Sequence, residues 1–290
     1  MLQYFLNDNK HSMFENNRLP QLLYLCNTET MQRNFPRVLH KHDDRLEIVF
    51  IVKGNGNHLI GDVAYHTKAG DILIFNRGVL HDEMAALHSD MAVYCCGIKE
   101  LHLKGAGKNR LFDISAPAVI ASGDKRHIIE QLLTIMFSQI KQHGNQASES
   151  CRYVLAALLS IIVQLPRENI ISLPFRKLTL IDQVKHYLDA NYTEPLSLPT
   201  IASRFNVSPF YLAHQFKRQT GFSLIRYLIR RRIGEAQSLL INTNYSITKI
   251  AGLVGYDDAN YFSTLFGKMI GISPTQYRAA WIGKKVRSFF

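Results

Sequence analysis

The chain has 290 residues and a mass of 33.1 kDa, about twice the ~150-residue length expected of one domain, so two domains are expected. With 47% hydrophobic, 10% aromatic and 20% charged residues it can bury full cores, which excludes a largely disordered or collagen-like chain. Its charge is lopsided: residues 1–172 carry 18 Lys and Arg against 17 Asp and Glu, whereas residues 173–290 carry 16 against 6, so nearly all of the formal +11 lies C-terminally and points to a polyanionic partner there.

At the start of the chain, polar Asn7, Asp8, Asn9 and Lys10 stand where a signal peptide carries its apolar core. The longest apolar run, Leu155 to Leu165, is shorter than the ~18–20 residues of a bilayer span, so a soluble, cytoplasmic protein with no membrane partner is expected. Cys26, Cys95, Cys96 and Cys151 lack CxxC spacing and read as reduced core thiols.

From about Arg37 to Ile98 short β-rich runs alternate with glycine turns: Leu46 to Lys53, His58 to Ile60, Val63 to His66, Asp71 to Phe75 and Met91 to Ile98. Many short strands at close spacing predict an all-β barrel or sandwich. Within it, His40-Lys41-His42 is followed after four residues by Glu47 and after six more by Gly54, and Gly70 is followed by Gly78 and His81. These spacings resemble the two cupin motifs, with Asn76 and Ala85 in place of the usual proline and asparagine. An HxH segment on a strand points both imidazoles to one face, where Glu47 and His81 can join them as a set suited to a transition metal, which keeps a metal-dependent enzyme as the alternative reading.

Two helices are expected next, over residues 124–143 and 146–165, the first turning Ile128, Leu132, Leu133, Ile135, Met136 and Ile140 to one side and the second stopped by Pro166. Their apolar faces suit packing on the barrel or a dimer contact. Residues 167–179, with mixed polarity around Pro174, read as a linker. The expected fold is therefore a two-domain α+β chain: a cupin-like β-barrel with helices over 1–166, the linker, and an all-α domain over 180–290.

That last domain contains an internal repeat. Ser197, Ile201 and Ala202 match Ser246, Ile250 and Ala251 at an offset of 49, and Tyr211, Phe216, Gly221, Ser223 and Tyr227 match Tyr261, Phe266, Gly271, Ser273 and Tyr277 at an offset of 50, with the extra residue near Gly255. Each copy reads as helix, turn and capped second helix, with Leu212 and Phe216, or Phe262 and Phe266, inward. Phe210, Ala213, His214 and Lys217 then form one outward stripe, and Asn260, Ser263, Thr264 and Gly267 its counterpart. A helix offered in this way fits the major groove of duplex DNA.

Residues 180–281 resemble the two-motif DNA-binding domain of the AraC family of bacterial transcription regulators, most diagnostically at Ile250-Ala251, Gly255-Tyr256, Tyr261-Phe262, Phe266, Lys268, Gly271, Ser273-Pro274 and Tyr277-Arg278. The resemblance implies a long connecting helix over Ser223 to Ile241, and base reading by Phe210, Ala213 and His214 in one unit and Asn260, Ser263 and Thr264 in the other. Ala213 and Gly267 depart from long polar side chains at their positions. Lys217, Arg218 and Lys268 are the phosphate candidates, whereas Arg230, Arg231 and Arg232 are expected to split between faces of the connecting helix, at least one of them solvated.

Cupin-like sensors of such regulators use the barrel as an effector pocket, so His40, His42, Glu47 and His81 are expected to line that pocket, with a bound metal as the alternative and no obligatory cofactor. The implied function is a non-enzymatic, sequence-specific regulator, with promoter DNA, a small-molecule effector, RNA polymerase and a second copy as partners. A metallocupin enzyme with an accessory DNA-binding domain and a nonspecific nucleic-acid packaging protein are the rivals.

Overall fold

A computed structural model describes residues 3–4, 12–28, 38–61, 63–82, 91–113, 116–166 and 179–287. Most of the expected linker, 167–178, and Ala85 lie outside the described residues.

The N-terminal part is two antiparallel sheets. Strands β1 (Gln21–Asn27), β6 (Ala92–Lys99), β2 (Leu46–Lys53), β5 (Asp71–Phe75) and β7 (Val119–Ala121) lie side by side in that order, and β3 (Asn55–Ile60) pairs with β4 (Val63–Lys68). Strand β2 is buried from Leu46 through Ile51, apolar there except at Glu47, because both of its faces are covered. Leu46, Ile48 and Phe50 join one core with Ile72, Ile74, Cys96 and Ile98, while Val49 and Ile51 join another with Leu73, Phe75, Cys95 and Ile60 of β3. The two-residue period thus places Glu47 on the inner face, between the sheets.

Five of the strands fall where the glycine-punctuated runs predict them. β1 and β7 fall outside that interval: β1 is a half-buried edge strand without apolar alternation, and β7 is only three residues long. Helices α1 (Arg126–His143) and α2 (Ser148–Gln164) pack on the outer face of the larger sheet through Ile129, Leu133, Met136, Leu155, Leu158, Leu159 and Ile162. The expected inward stripe of α1 is rotated, with Ile128 and Ile135 exposed, because its apolar residues span more than one face and the sheet covers only one.

The C-terminal part is α3 (Leu180–Ala190), α4 (Leu198–Arg204), α5 (Pro209–Thr220), α6 (Leu224–Asn242), α7 (Ile247–Leu253), α8 (Ala259–Ile270) and α9 (Pro274–Arg287). The repeat is physical as well as textual. Ser197 and Ser246 cap α4 and α7, Ser208 and Asp258 cap α5 and α8, and Gly221 and Gly271 end those helices in the left-handed conformation at φ of 77° and 88°. Phe216 meets Tyr227, and Phe266 meets Tyr277, edge to face at 5.5 Å in both copies.

Helix α6 also docks on the N-terminal part. Consecutive residues Val38 and Leu39, both fully buried, enter the cores of the second and first helix-turn-helix units respectively. Gly234 lies against the Leu39 carbonyl so closely that a side chain there would collide with it. The Val38 amide donates to Gln237 Oε1 at 3.0 Å, and Arg230 Nη2 lies 2.9 Å from Asp82 Oδ2 in a buried ion pair. Arg230, Gly234 and Gln237 share one helix face at i, i+4 and i+7.

The arginine run corrects the expectation of a solvated residue: Arg230, Arg231 and Arg232 are all buried. Arg231 pairs with Glu235 at 2.9 Å and stacks on Tyr192. Arg232 donates to the carbonyls of Tyr192, Glu194 and Gly255 at 2.6, 2.6 and 2.9 Å, tying the turn after α3 to the second unit's turn. Their charge is spent on pairing and carbonyls inside the protein, so the basic balance overstates what α6 offers a polyanion.

Candidate sensor site and nucleic-acid interface

The two outward stripes stand where the spacing places them. On α5, Phe210 is 83% exposed, His214, Lys217 and Arg218 are exposed, and Ala213 is half-buried. On α8, Asn260, Thr264 and Lys268 are exposed, and Ser263 and Gly267 are half-buried. The Ser263 hydroxyl donates to the Ala259 carbonyl at 2.8 Å, so toward solvent it offers an acceptor rather than a donor. Tyr211 and Tyr261, 48% and 57% exposed beside Phe210 and Asn260, were legible only as repeat matches. A repeated aromatic reads as core, yet these two are a repeated surface feature.

In the N-terminal part His40, His42, Glu47 and His81 converge, and all are buried. Glu47 comes from the inner face of β2. The histidines come not from a regular strand: His40 and His81 face each other across an isolated antiparallel bridge, their backbones exchanging two hydrogen bonds of 2.9 Å, and His42 lies just beyond it. Glu47 Oε2 lies 3.1 Å from His42 Nε2 and 3.2 Å from His81 Nε2. Its Oε1 accepts a hydrogen bond from the Tyr24 hydroxyl and faces the Cys95 thiol. Gly97 is required here, since the Tyr24 ring occupies the space any side chain at 97 would fill.

Ring orientation is set from behind. His40 Nδ1 lies 2.8 Å from the Val38 carbonyl and His81 Nδ1 3.0 Å from the Val79 carbonyl. A carbonyl oxygen only accepts, so each Nδ1 carries the hydrogen and each Nε2 turns a lone pair into the cluster. Phe75 stacks on His81 at 3.9 Å. Burial pushes the Glu47 carboxyl up to about 8.

A separate cleft of about 490 Å³ lies between the two parts, lined by Lys41, Tyr65, Asn76 and Asp113 on one side and by His186, Asp189 and Arg231 on the other. None of the four clustered residues lines it. Asn76, at one of the departures from the cupin pattern, holds the loop beside it by accepting from the Leu111 amide at 2.9 Å and donating to the Phe112 carbonyl at 3.2 Å.

A sheet-rich domain joined to two helix-turn-helix units defines a DNA-binding transcription regulator with a ligand-binding domain. Residues 23–157 match the family profile of the AraC-like ligand binding domain and residues 201–280 that of the helix-turn-helix domain. The chain belongs to the AraC family of transcription regulators. It is 29% identical over 242 residues, 82% of its length and 80% of the relative's, to the uncharacterized HTH-type transcriptional regulator YdiP of Escherichia coli. It is also 29% identical over 269 residues, 86% of its length and 90% of the relative's, to the HTH-type transcriptional activator RhaR of Mannheimia succiniciproducens. Among solved structures, the C-terminal domain of AraT, a response regulator from Geobacillus stearothermophilus, aligns at 39% identity and a TM-score of 0.34 over 36% of this chain and 87% of its own. No helix among the described residues is long and apolar enough to cross a membrane.

Proposed function

We propose that this AraC-family regulator reads promoter DNA with α5 and α8 and that its N-terminal half, residues 1–166, controls the reading domain, residues 180–290, through α6. Phe210, Ala213 and His214, with Asn260, Ser263 and Thr264, face the bases, while Lys217, Arg218, Lys268 and the hydroxyls of Tyr211 and Tyr261 face phosphates. Asn260 carries the strongest discrimination, because its amide pairs with adenine through two hydrogen bonds. A small-molecule effector enters the cleft between the halves, α1 supplies a contact to a second copy through Ile128 and Ile135, and the bound regulator meets RNA polymerase in the cytoplasm. The chain works as a switch, not as an enzyme.

One observation carries the control: the residues that form the buried cluster and the residues that grip α6 are chain neighbours. Val38 and Leu39 precede His40, and Asp82 follows His81, so a displacement at the cluster is delivered directly to Gly234, Gln237 and Arg230. The test recovers chromosomal DNA bound by the full-length protein and places a reporter behind the promoter most strongly recovered. A recurrent sequence with two half-motifs is expected, and the double variant Asp82→Leu with Arg230→Met, which replaces the buried pair by apolar side chains, is expected to hold the reporter at one level across growth conditions that switch the wild type. Recovered DNA with no recurrent motif overturns the specific reading, and a double variant that still switches overturns the relay.

A further inference from the structure

We propose that His40, His42, Glu47 and His81 bind one divalent first-row transition-metal ion, and that the relay to α6 reads its occupancy; this second half rests on the regulatory function proposed above. The donor set comes first. Three imidazoles and one carboxylate offer a ligand atom each, and these atoms all lie within 4.8 Å of one another. Metal–nitrogen and metal–oxygen bonds of about 2.0–2.2 Å put neighbouring donors about 3 Å apart and opposite donors a little over 4 Å apart, so a single ion reaches all four after small adjustments. Nitrogen-rich ligation of this kind suits zinc, iron, nickel or manganese rather than calcium or magnesium, which take oxygen.

The second observation is the orientation of the rings. His40 and His81 spend their N–H groups on the carbonyls of Val38 and Val79, two residues before each, which aims both Nε2 lone pairs inward. Metal-binding histidines are commonly fixed by such an outer hydrogen bond. His81 Nε2 then faces Glu47 Oε2 at 3.2 Å and His42 Nε2 faces the same oxygen at 3.1 Å, so the nitrogens and the carboxyl converge on one point.

The third observation is the size of the space. The histidine ring centroids are 4.3 to 5.6 Å apart, and no ligand residue is more than 5% exposed. Such a site admits an atom, not a sugar or a carboxylate effector, and room for a molecule exists instead in the cleft, which these four residues do not line. Metal and effector accordingly have separate places, both touching the seam between the halves.

The experiment uses untagged full-length protein, stripped with a chelator and titrated with Zn²⁺ or Co²⁺. The wild type is expected to take up about one equivalent, to show the visible absorption of nitrogen-ligated cobalt, and to shift the ring resonances of three of its 12 histidines. His42→Ala is expected to lose at least about 100-fold in affinity, more than an outer-shell change costs. Glu47→Gln keeps shape while removing the anionic donor, and is expected to weaken binding with the fold intact by circular dichroism. A wild type that takes up no metal, or cobalt absorption unchanged in both variants, overturns the site. DNA affinity measured on stripped and loaded protein is expected to differ by about 5- to 150-fold. If metal binds and DNA affinity does not move, the site stands and the relay falls; if no metal binds, the site falls and the growth-condition reporter still judges the relay.

Discussion

The two helix-turn-helix units share a skeleton and differ on the surface that skeleton carries. Both have a seven-residue first helix, a twelve-residue second helix, a left-handed glycine stop, and a buried Phe against a buried Tyr at 5.5 Å. The outward stripes have diverged completely, Phe210, Ala213, His214 and Lys217 against Asn260, Ser263, Thr264 and Gly267. Packing tolerates few substitutions at a crossing of two short helices, whereas the exposed stripe is free to vary with what it reads. The divergence therefore locates the specificity, and it predicts two half-sites of different sequence. The turns differ too: residues 205–208 in the first unit and 254–258 in the second, where Gly255 at φ 87° packs on the Thr193 carbonyl.

The largest effect tests the shared skeleton. Phe216→Ala and Phe266→Ala each remove a fully buried ring, and each is expected to cost about 3–5 kcal/mol in chemical denaturation of the full chain. Near-equal costs, within roughly 1 kcal/mol, are expected from equal burial and equal tyrosine partners. A much smaller loss in one unit would mean that its core collapses around the cavity, and that the copies are alike in sequence more than in packing.

Divergence of the reading faces is tested by a smaller change. Asn260→Ala is expected to relax base preference in one half-site at a cost of about 1–3 kcal/mol, while Lys217→Ala weakens binding to all sequences alike and lowers the salt dependence. The reason is position: Asn260 lies in the first turn of α8, and Lys217 two turns along α5. Equal, sequence-independent losses from both would show that the bases face another side of α8.

Features carried by local periodicity were legible in the sequence. Helix caps, glycine stops, the repeat and the exposed Phe210 all follow from residues a few positions apart, and HxH with Glu47 and His81 followed from motif spacing. The docking of α6 was not legible, because its partners lie far away in the chain: Arg230 and Asp82 are 148 residues apart, Val38 and Gln237 199. Three consecutive arginines read as partly solvated because charged side chains are seldom buried without partners, and here the partners of Arg230 and Arg232 are remote or are backbone carbonyls, while Arg231 alone has one nearby, Glu235. The rotation of α1 escaped for a related reason: an apolar surface wider than one stripe does not say which stripe the sheet will take.

The smallest expected effect separates the two caps, which do the same structural work with different charge. Asp258 Oδ1 accepts from the amides of Asn260 and Tyr261 at 2.7 and 3.2 Å, whereas Ser208 Oγ accepts from the Tyr211 amide alone at 3.2 Å. A carboxylate also meets the positive end of the helix dipole, so Asp258→Ala is expected to cost about 1–2 kcal/mol and Ser208→Ala about 0.5–1 kcal/mol, with the amides of Tyr261 and Tyr211 exchanging faster in the respective variants. On DNA the sign reverses, because a carboxylate at the tip of α8 opposes the phosphates that the helix approaches. Asp258→Asn keeps a good cap and removes that charge, so stability is expected to stay within about 0.5 kcal/mol of wild type while DNA affinity rises, most at low salt. The neutral Ser208 opposes nothing, and Ser208→Asn is expected to leave DNA affinity where it was. If Asp258→Asn weakens DNA binding instead, the aspartate is holding a DNA-contacting side chain in place, and the two units differ in their caps as well as in their stripes.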